Sequence, residues 1–259
     1  MKRWSISILV LAVTIAAVPA QAAVTFEGSN GTLAAEATFE IVGGDLQVTL
    51  TNTSTADVLE QAHVLTAVFF EVAGDPTLSA DSAILTAGST VVNVPAGHDA
   101  TNPGGDVASE WAYRSDLSGD ASYGISSSGL GDIFGTDHLI DPIEANNLQG
   151  PWSPDGIQYG ITSASDDITT GNKAVTGGTR KNKVSLIQNS VTFTLSGLPA
   201  GFSLSDISNV SFNYGTDLGT IPGNGGVIPE PASLAVWSAL AGLGLVAGFR
   251  RRKKRQANA

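Results

Sequence analysis

Residues 37–53 read Ala-Thr-Phe-Glu-Ile-Val-Gly-Gly-Asp-Leu-Gln-Val-Thr-Leu-Thr-Asn-Thr. Apolar and polar side chains alternate on both sides of the Gly43-Gly44 pair, and a period of two sends alternate side chains to opposite faces of a β-strand. Alternating runs that flank two glycines are typical of a β-hairpin, because glycine readily adopts the positive φ of a tight turn. The segment therefore predicts two antiparallel strands, each with one face in a core.

Short strand candidates continue along the chain, with turn residues between them. They lie at residues 64–72, 83–94, 110–114, 121–127, 157–163, 183–198 and 209–214. Together with the hairpin they make about ten strands, and this spacing of strands and turns is typical of sandwiches and barrels. No β-α-β alternation is visible. The sequence predicts an all-β fold, an antiparallel β-sandwich with a jelly roll as one variant.

The N-terminal residues 1–22 have the features of a signal peptide. Lys2 and Arg3 precede an apolar run over residues 6–18, and Ala20 and Ala22 supply the small residues of a signal peptidase site. We expect signal peptidase to cut after Ala22.

The C-terminal part of the chain combines three features in a fixed order. Pro229-Glu230-Pro231 comes first, followed by the uncharged residues 232–249. As a helix this stretch would measure roughly 27 Å, close to the roughly 30 Å of a bilayer core. Six basic residues follow, and they should stay on the cytoplasmic side: Arg250, Arg251, Arg252, Lys253, Lys254 and Arg255. The sequence predicts one transmembrane helix whose basic cluster stops transfer.

This order of triplet, short apolar helix and basic cluster resembles the PEP-CTERM sorting signal of bacterial exosortase substrates. The resemblance implies that an exosortase in the membrane recognises the segment and cuts near Pro-Glu-Pro. It further implies an inner-membrane-anchored precursor that is passed to the cell surface or extracellular matrix of a Gram-negative-type bacterium. An ordinary tail anchor is the alternative.

Charge and cysteine content narrow the classes of function. Between residues 23 and 249 the chain has five basic and 24 acidic residues, a net charge of −19. Such a surface disfavours nucleic-acid binding, which needs positive charge. The absence of cysteine excludes disulfides, thiol catalysis and thiolate metal sites. We predict no cofactor and no metal.

Two kinds of candidate site remain in the predicted domain. Trp111, Tyr113 and Arg114 are possible ligand-binding residues, because exposed aromatic rings stack on sugars; a core tryptophan with Arg114 paired to a buried acid is the alternative. Calcium prefers oxygen ligands from loops, and three acidic pairs are candidates for it: Asp116 with Asp120, Asp132 with Asp137, and Asp166 with Asp167. None matches a calcium-loop pattern, and solvated charge explains them as well.

The predicted organisation is a signal peptide (1–22), a β-sandwich domain (23–219), a flexible stalk (220–228), the sorting signal (229–255) and a short tail (256–259). We expect an exported surface or matrix protein with a structural or interaction role and no catalysis. A carbohydrate-binding or adhesive module, partnered by extracellular polysaccharide, is the first alternative. A secreted hydrolase is the second, although no Gly-x-Ser-x-Gly nucleophile motif occurs.

Overall fold

The protein is described from a computed structural model, which covers residues 22–94, 101, 103–119, 121–131, 133–134, 148, 156–170 and 184–227. Within these ranges the regular elements are fourteen β-strands and a few three-residue 3₁₀ turns, with no α-helix. The strands are β1 (Ala23–Asn30), β2 (Leu33–Val42), β3 (Asp45–Asn52), β4 (Leu65–Val72), β5 (Ser79–Leu85), β6 (Thr90–Val92), β7 (Ala112–Arg114), β8 (Tyr123–Ser126), β9 (Ile161–Thr162), β10 (Leu186–Gln188), β11 (Ser190–Ser196), β12 (Ile207–Tyr214), β13 (Thr220–Pro222) and β14 (Asn224–Val227). The all-β prediction is confirmed.

The predicted hairpin is formed by β2 and β3. The strands pair antiparallel from Val42↔Asp45 outwards, and both turn glycines have positive φ, 67° at Gly43 and 103° at Gly44. The alternation places one face of each strand in the core, where Phe39, Leu46, Val48 and Leu50 are fully buried. Because a shift of one residue would turn this apolar face outwards, the burial fixes the register.

The hairpin belongs to a six-stranded antiparallel sheet, sheet A, with the order β14-β1-β2-β3-β11-β5. Its strands β1, β2 and β3 are neighbours in both sequence and space. This meander differs from the two Greek keys of a jelly roll.

A second sheet, sheet B, has eight strands. Its main path is β13-β12-β4-β9-β10-β6, and β8 pairs with β4 and carries β7 on its other side. One pair, β9 with β10, is parallel. The expectation of purely antiparallel pairing is therefore wrong for sheet B.

Side chains from both sheets form one continuous hydrophobic cluster. Phe39 of sheet A meets Phe70 of sheet B edge to face, with ring centroids 5.3 Å apart, and Phe70 stacks on Tyr123 at 5.4 Å. Asn52 also joins the sheets, since its buried Nδ2 donates to the Ile161 carbonyl at 2.8 Å. The core thus lies between two β layers.

Two predicted segments differ from the structure. The predicted strand 183–198 is two strands, β10 in sheet B and β11 in sheet A, separated by Asn189 with φ of 95°. Residues 220–228 were expected to be a flexible stalk, but β13 and β14 occupy residues 220–222 and 224–227 and pair with β12 and β1. The compact unit accordingly extends over Ala22–Pro229 rather than ending at residue 219.

The predicted signal peptide up to residue 21 and the predicted transmembrane helix lie outside the described residues. In the part of the chain that the structure describes, no helix has the length and apolar character needed to cross a bilayer.

Candidate functional site

A cleft of about 1070 Å³ opens on the outer face of sheet B. Strand β4 alternates between the two sides of its sheet: Val68 and Phe70 enter the main core, whereas Ala67 and Phe69 belong to a separate outer cluster. The cleft lies between this outer face and the chain that crosses it after β7. Its lining residues are Phe69, Arg114, Asp116, Leu117, Ser118, Gly119, Ala121, Ile133, Asn209, Val210, Ser211, Leu218, Thr220, Pro222 and Gly223.

The apolar side of the cleft is anchored by Phe69. Its ring lies 6.0 Å from that of Phe134, centroid to centroid, and Leu117 and Ile133 pack against the same outer cluster. Phe69 is only 6% exposed, so it offers an edge rather than an open stacking face. Leu218 contributes the exposed apolar surface, since 57% of it is accessible to solvent.

One ion pair lies at the rim of the cleft. The Arg114 guanidinium holds both carboxylate oxygens of Asp116, with Nε–Oδ1 at 2.7 Å and Nη2–Oδ2 at 2.8 Å. The same guanidinium donates from Nη1 to the Ile133 carbonyl at 3.1 Å. The hydrogen bonds from Arg114 lower the pKa of Asp116 from its usual range. The pair is therefore ionised and neutral overall at physiological pH.

A bulge in β12 forms the polar side of the cleft. The pairing of β12 with β4 shifts register between Ser208 and Ser211, and Asn209 within the bulge has φ of 48°. Bulges bend a strand and redirect its side chains. Asn209, Ser211 and Thr220 therefore bring amide and hydroxyl groups to the same cleft as Leu218. Such a lining suits an uncharged ligand with both hydroxyl and apolar surface.

The three predicted ligand-binding residues are only partly brought together. Trp111 is fully buried and packs on Phe193 with centroids 4.9 Å apart, and Tyr113 is 6% exposed. The expected exposed aromatic platform is therefore absent at these residues, because both rings point into the core. Arg114 alone reaches the cleft. Of the alternative, the core tryptophan is confirmed, but the pairing of Arg114 with a buried acid is wrong, since its partner Asp116 is exposed.

The candidate calcium pairs differ in what the structure shows. Asp120, Asp132 and Asp137 lie outside the described residues. Asp166 and Asp167 both accept hydrogen bonds from the protein: Asp166 Oδ1 accepts from the Val58 N–H of a distant segment at 2.8 Å, and Asp167 Oδ1 accepts from the Thr169 hydroxyl of its own loop at 2.7 Å. Across the described residues, no three His, Asp or Glu side chains are grouped so that they could hold a metal ion.

Asp166 is nevertheless an unusual carboxylate. It is 5% exposed, and its Oδ2 has no hydrogen-bond partner. Burial raises its pKa, although the hydrogen bond from Val58 opposes this change. Ionisation of Asp166 in the folded protein therefore costs folding free energy.

Three consecutive serines are buried at the end of β8, and the Ser128 hydroxyl among them has no hydrogen-bond partner. Ser126, Ser127 and Ser128 are buried, and the Ser126 hydroxyl donates to the Ser128 carbonyl at 2.7 Å. His63 pairs instead with Glu60, Nε2 to Oε1 at 3.2 Å. None of these serines is shown next to a histidine base.

Sequence reasoning missed Asn209, Ser211, Leu218 and Thr220. The signal available for Leu218 is a lone large apolar residue in the polar turn Gly-Thr-Asp-Leu-Gly at 215–219. Asn209 has a weaker signal, because an asparagine that starts an alternating run tolerates the left-handed conformation of a bulge.

The predicted processing residues lie at or beyond the edges of the described ranges. Ala22 packs, partly buried, against the main core and β1 begins at Ala23, whereas Ala20 is not among the described residues. Pro229, Glu230, Pro231 and the basic cluster Arg250–Arg255 are also outside them.

Comparison with known families bears on this C-terminal segment. The family model of the PEP-CTERM protein-sorting motif matches residues 227–254. The chain thus carries this motif, which indicates an extracellular protein sorted by exosortase from an exported, membrane-anchored precursor. No curated protein and no solved structure matches the chain.

Proposed function

We propose that this chain is a non-catalytic surface protein whose β domain is delivered, after cleavage near Pro229-Glu230-Pro231, to the bacterial surface or its polysaccharide matrix. The observation that carries the proposal is the sorting motif at residues 227–254 joined directly to a compact, cysteine-free β unit. Two sheets around one core support a β-sandwich as the delivered body. The burial of Ser126, Ser127 and Ser128 disfavours these three serines as hydrolase nucleophiles.

Replacing Pro229, Glu230 and Pro231 together by alanine tests the sorting step. We expect the variant to stay in the membrane fraction at its precursor mass, while the wild-type protein appears at the surface with a shortened C-terminus found by mass spectrometry. A matched control replaces the nearby Asn224 by serine and should be processed normally. Surface delivery of the triple variant at the wild-type level would refute the proposal.

A carbohydrate-binding role is a second candidate, and the outer-face cleft favours it. Its hydroxyl and amide groups, its neutral ion pair and its exposed leucine match the mixed surface of an uncharged sugar. The strong negative charge of the domain disfavours anionic polysaccharides by repulsion.

A glycan array tests this second role with two variants of cleft residues and one control variant outside the cleft. Leu218→Ala and Asp116→Ala should each weaken binding to a neutral glycan at least tenfold. Leu59→Ala is the control, because Leu59 is similarly exposed, at 52%, but does not line the cleft. Failure of the wild-type protein to bind any glycan would remove this candidate without affecting the sorting proposal.

A further inference from the structure

The last described strand and the sorting motif are almost contiguous. Strand β14 ends at Val227, where the match to the motif begins. In the sequence only Ile228 separates this strand from Pro229. The motif is therefore attached to a sheet edge, and the free stalk expected from the sequence is replaced by β14.

This attachment matters for any enzyme that cuts near the motif. Enzymes and receptors that take an extended peptide hydrogen-bond to its backbone, as in strand addition. The backbone of β14 is already paired with β1, through Thr25↔Val227, Phe26↔Gly225 and Glu27↔Asn224. While that pairing lasts, the backbone groups of residues 224–227 that face β1 are not free to bind an enzyme.

The pairing of β14 with β1 is less extensive than the pairing of β1 with β2. It has three register partners with a shift between Thr25 and Phe26, whereas β1 and β2 pair over eight residues without interruption. Residues 224–226 of β14 are exposed, and two of them are glycines without side chains to bury. Detachment of β14 therefore leaves β1 in place on β2.

The paired state is nevertheless a specific fit. Gly225 has φ of 145°, and a β-carbon there would approach the Thr25 carbonyl oxygen to 2.4 Å. At Gly226 a β-carbon would only touch the Phe26 ring, at 3.6 Å, but the φ of 94° itself favours glycine. Glycine at residues 225 and 226 therefore suits the backbone conformation of β14 along β1.

We propose that β14 is a detachable edge strand, released from β1 so that exosortase can take residues 224–231 as an extended peptide. The inference rests on the exosortase processing proposed above. No bond other than the scissile peptide is broken; release exchanges the hydrogen bonds to β1 for those to the enzyme. The processing enzyme thus binds the backbone of the released strand.

A cross-strand disulfide tests the release. Glu27 and Asn224 are register partners and both are exposed, and the chain has no cysteine of its own. The double variant Glu27→Cys with Asn224→Cys should therefore form one defined bridge after export, where disulfides persist. We expect at least a tenfold drop in the rate of C-terminal processing, measured by pulse-chase. Each single cysteine variant should be processed like the wild-type protein.

A second variant makes the result specific. Eight Gly and Ser residues inserted between Val227 and Ile228 give a flexible reach of roughly 15 Å. The insertion should restore processing of the bridged protein, because the motif no longer needs β14 to leave the sheet. Wild-type processing of the bridged protein without the insertion would overturn the proposal, and so would failure of the insertion to rescue it.

The two proposals can fail separately. If the Pro229-Glu230-Pro231 alanine variant is processed normally, exosortase sorting itself is refuted. If that variant is blocked while the bridged protein is processed normally, sorting stands and strand release is refuted.

Discussion

Replacing Trp111 by alanine separates a core role from a ligand-binding role for the most prominent aromatic residue of the domain. Trp111 is fully buried and packs edge to face on Phe193. Truncation of a buried tryptophan to alanine costs about 3–5 kcal/mol of the free energy of unfolding. With a denaturant slope of about 2 kcal/mol per molar, a loss of 4 kcal/mol lowers the urea midpoint by roughly 2 M.

The Trp111→Phe variant refines the test because the indole Nε1 is buried without a hydrogen-bond partner. Loss of the second ring removes apolar contact of about 1–2 kcal/mol. Loss of the unpaired N–H relieves a desolvation cost of about 1–3 kcal/mol. The two changes nearly cancel, so the free energy of unfolding should stay within about 1 kcal/mol of the wild-type value.

Urea unfolding of the purified mature protein, followed by far-ultraviolet circular dichroism, measures both variants. An alanine variant within about 0.5 kcal/mol of the wild-type protein would place Trp111 on the surface and refute the core role. A phenylalanine variant as unstable as the alanine variant would show that the indole N–H is hydrogen-bonded.

Three further changes give expected outcomes in the same unfolding assay. Asp166→Asn should raise the urea midpoint at pH 7 but not near pH 3. Because the pKa of Asp166 is raised in the folded state, the folded protein loses stability as the pH rises from the unfolded-state pKa through the folded-state pKa. Asparagine cannot ionise, so the variant does not lose this stability. Equal effects at both pH values would count against a buried charge. Asn52→Ala should cost about 2–4 kcal/mol, because it leaves the Ile161 carbonyl of sheet B and the Ser54 N–H of the loop after β3 without a hydrogen bond; a neutral result would contradict the inter-sheet bridge. Gly28→Ala should cost about 1–3 kcal/mol, since its β-carbon would lie 2.7 Å from the Phe212 ring. Gly219→Ala, with open space around the new carbon, is the control and should be nearly neutral.

The parts of the fold that the sequence predicts are those specified by local patterns. The β2–β3 hairpin needs only alternation and two turn glycines, and all of these lie within residues 37–53. Strands β7 and β8 fall within the predicted strand segments 110–114 and 121–127, and they pair with each other across one short turn region. In each case the partners are close in sequence, so neighbouring residues determine the contact.

The parts that sequence reasoning missed depend on distant partners. Residues 220–227 contain three glycines and two of the residues least common in strands, proline and asparagine, so composition predicts a linker. Their strand geometry comes from β12 and from β1, which lies about 200 residues earlier in the chain. The cleft was missed for the same reason, since it joins residues from β4, the segment after β7, and the β12–β13 turn.

The aromatic segment illustrates a different limit. A short run such as Trp111-Ala-Tyr-Arg114 fits an exposed platform and a buried strand equally well, because periodicity cannot say which sheet covers it. Here Phe193 of β11 covers Trp111, and the Leu78 carbonyl accepts from the Tyr113 hydroxyl at 3.4 Å. Only Arg114, at the end of β7, reaches the solvent-facing cleft.

Strands β13 and β14 complete both sheets on the same side of the domain. The chain leaves the edge of sheet B at Pro222 and enters the edge of sheet A at Asn224, so Gly223 alone makes the crossing. Its N–H donates to the Val210 carbonyl at 2.8 Å, and a β-carbon there would approach that oxygen to 3.0 Å. An unpaired edge is a template for wrong pairing with other chains. The eight residues before Ile228 therefore cover the edges of β12 and β1, and the sorting motif begins at the last of them, Val227. Release of β14 would uncover the edge of β1 only, because β13 pairs with β12 in the other sheet.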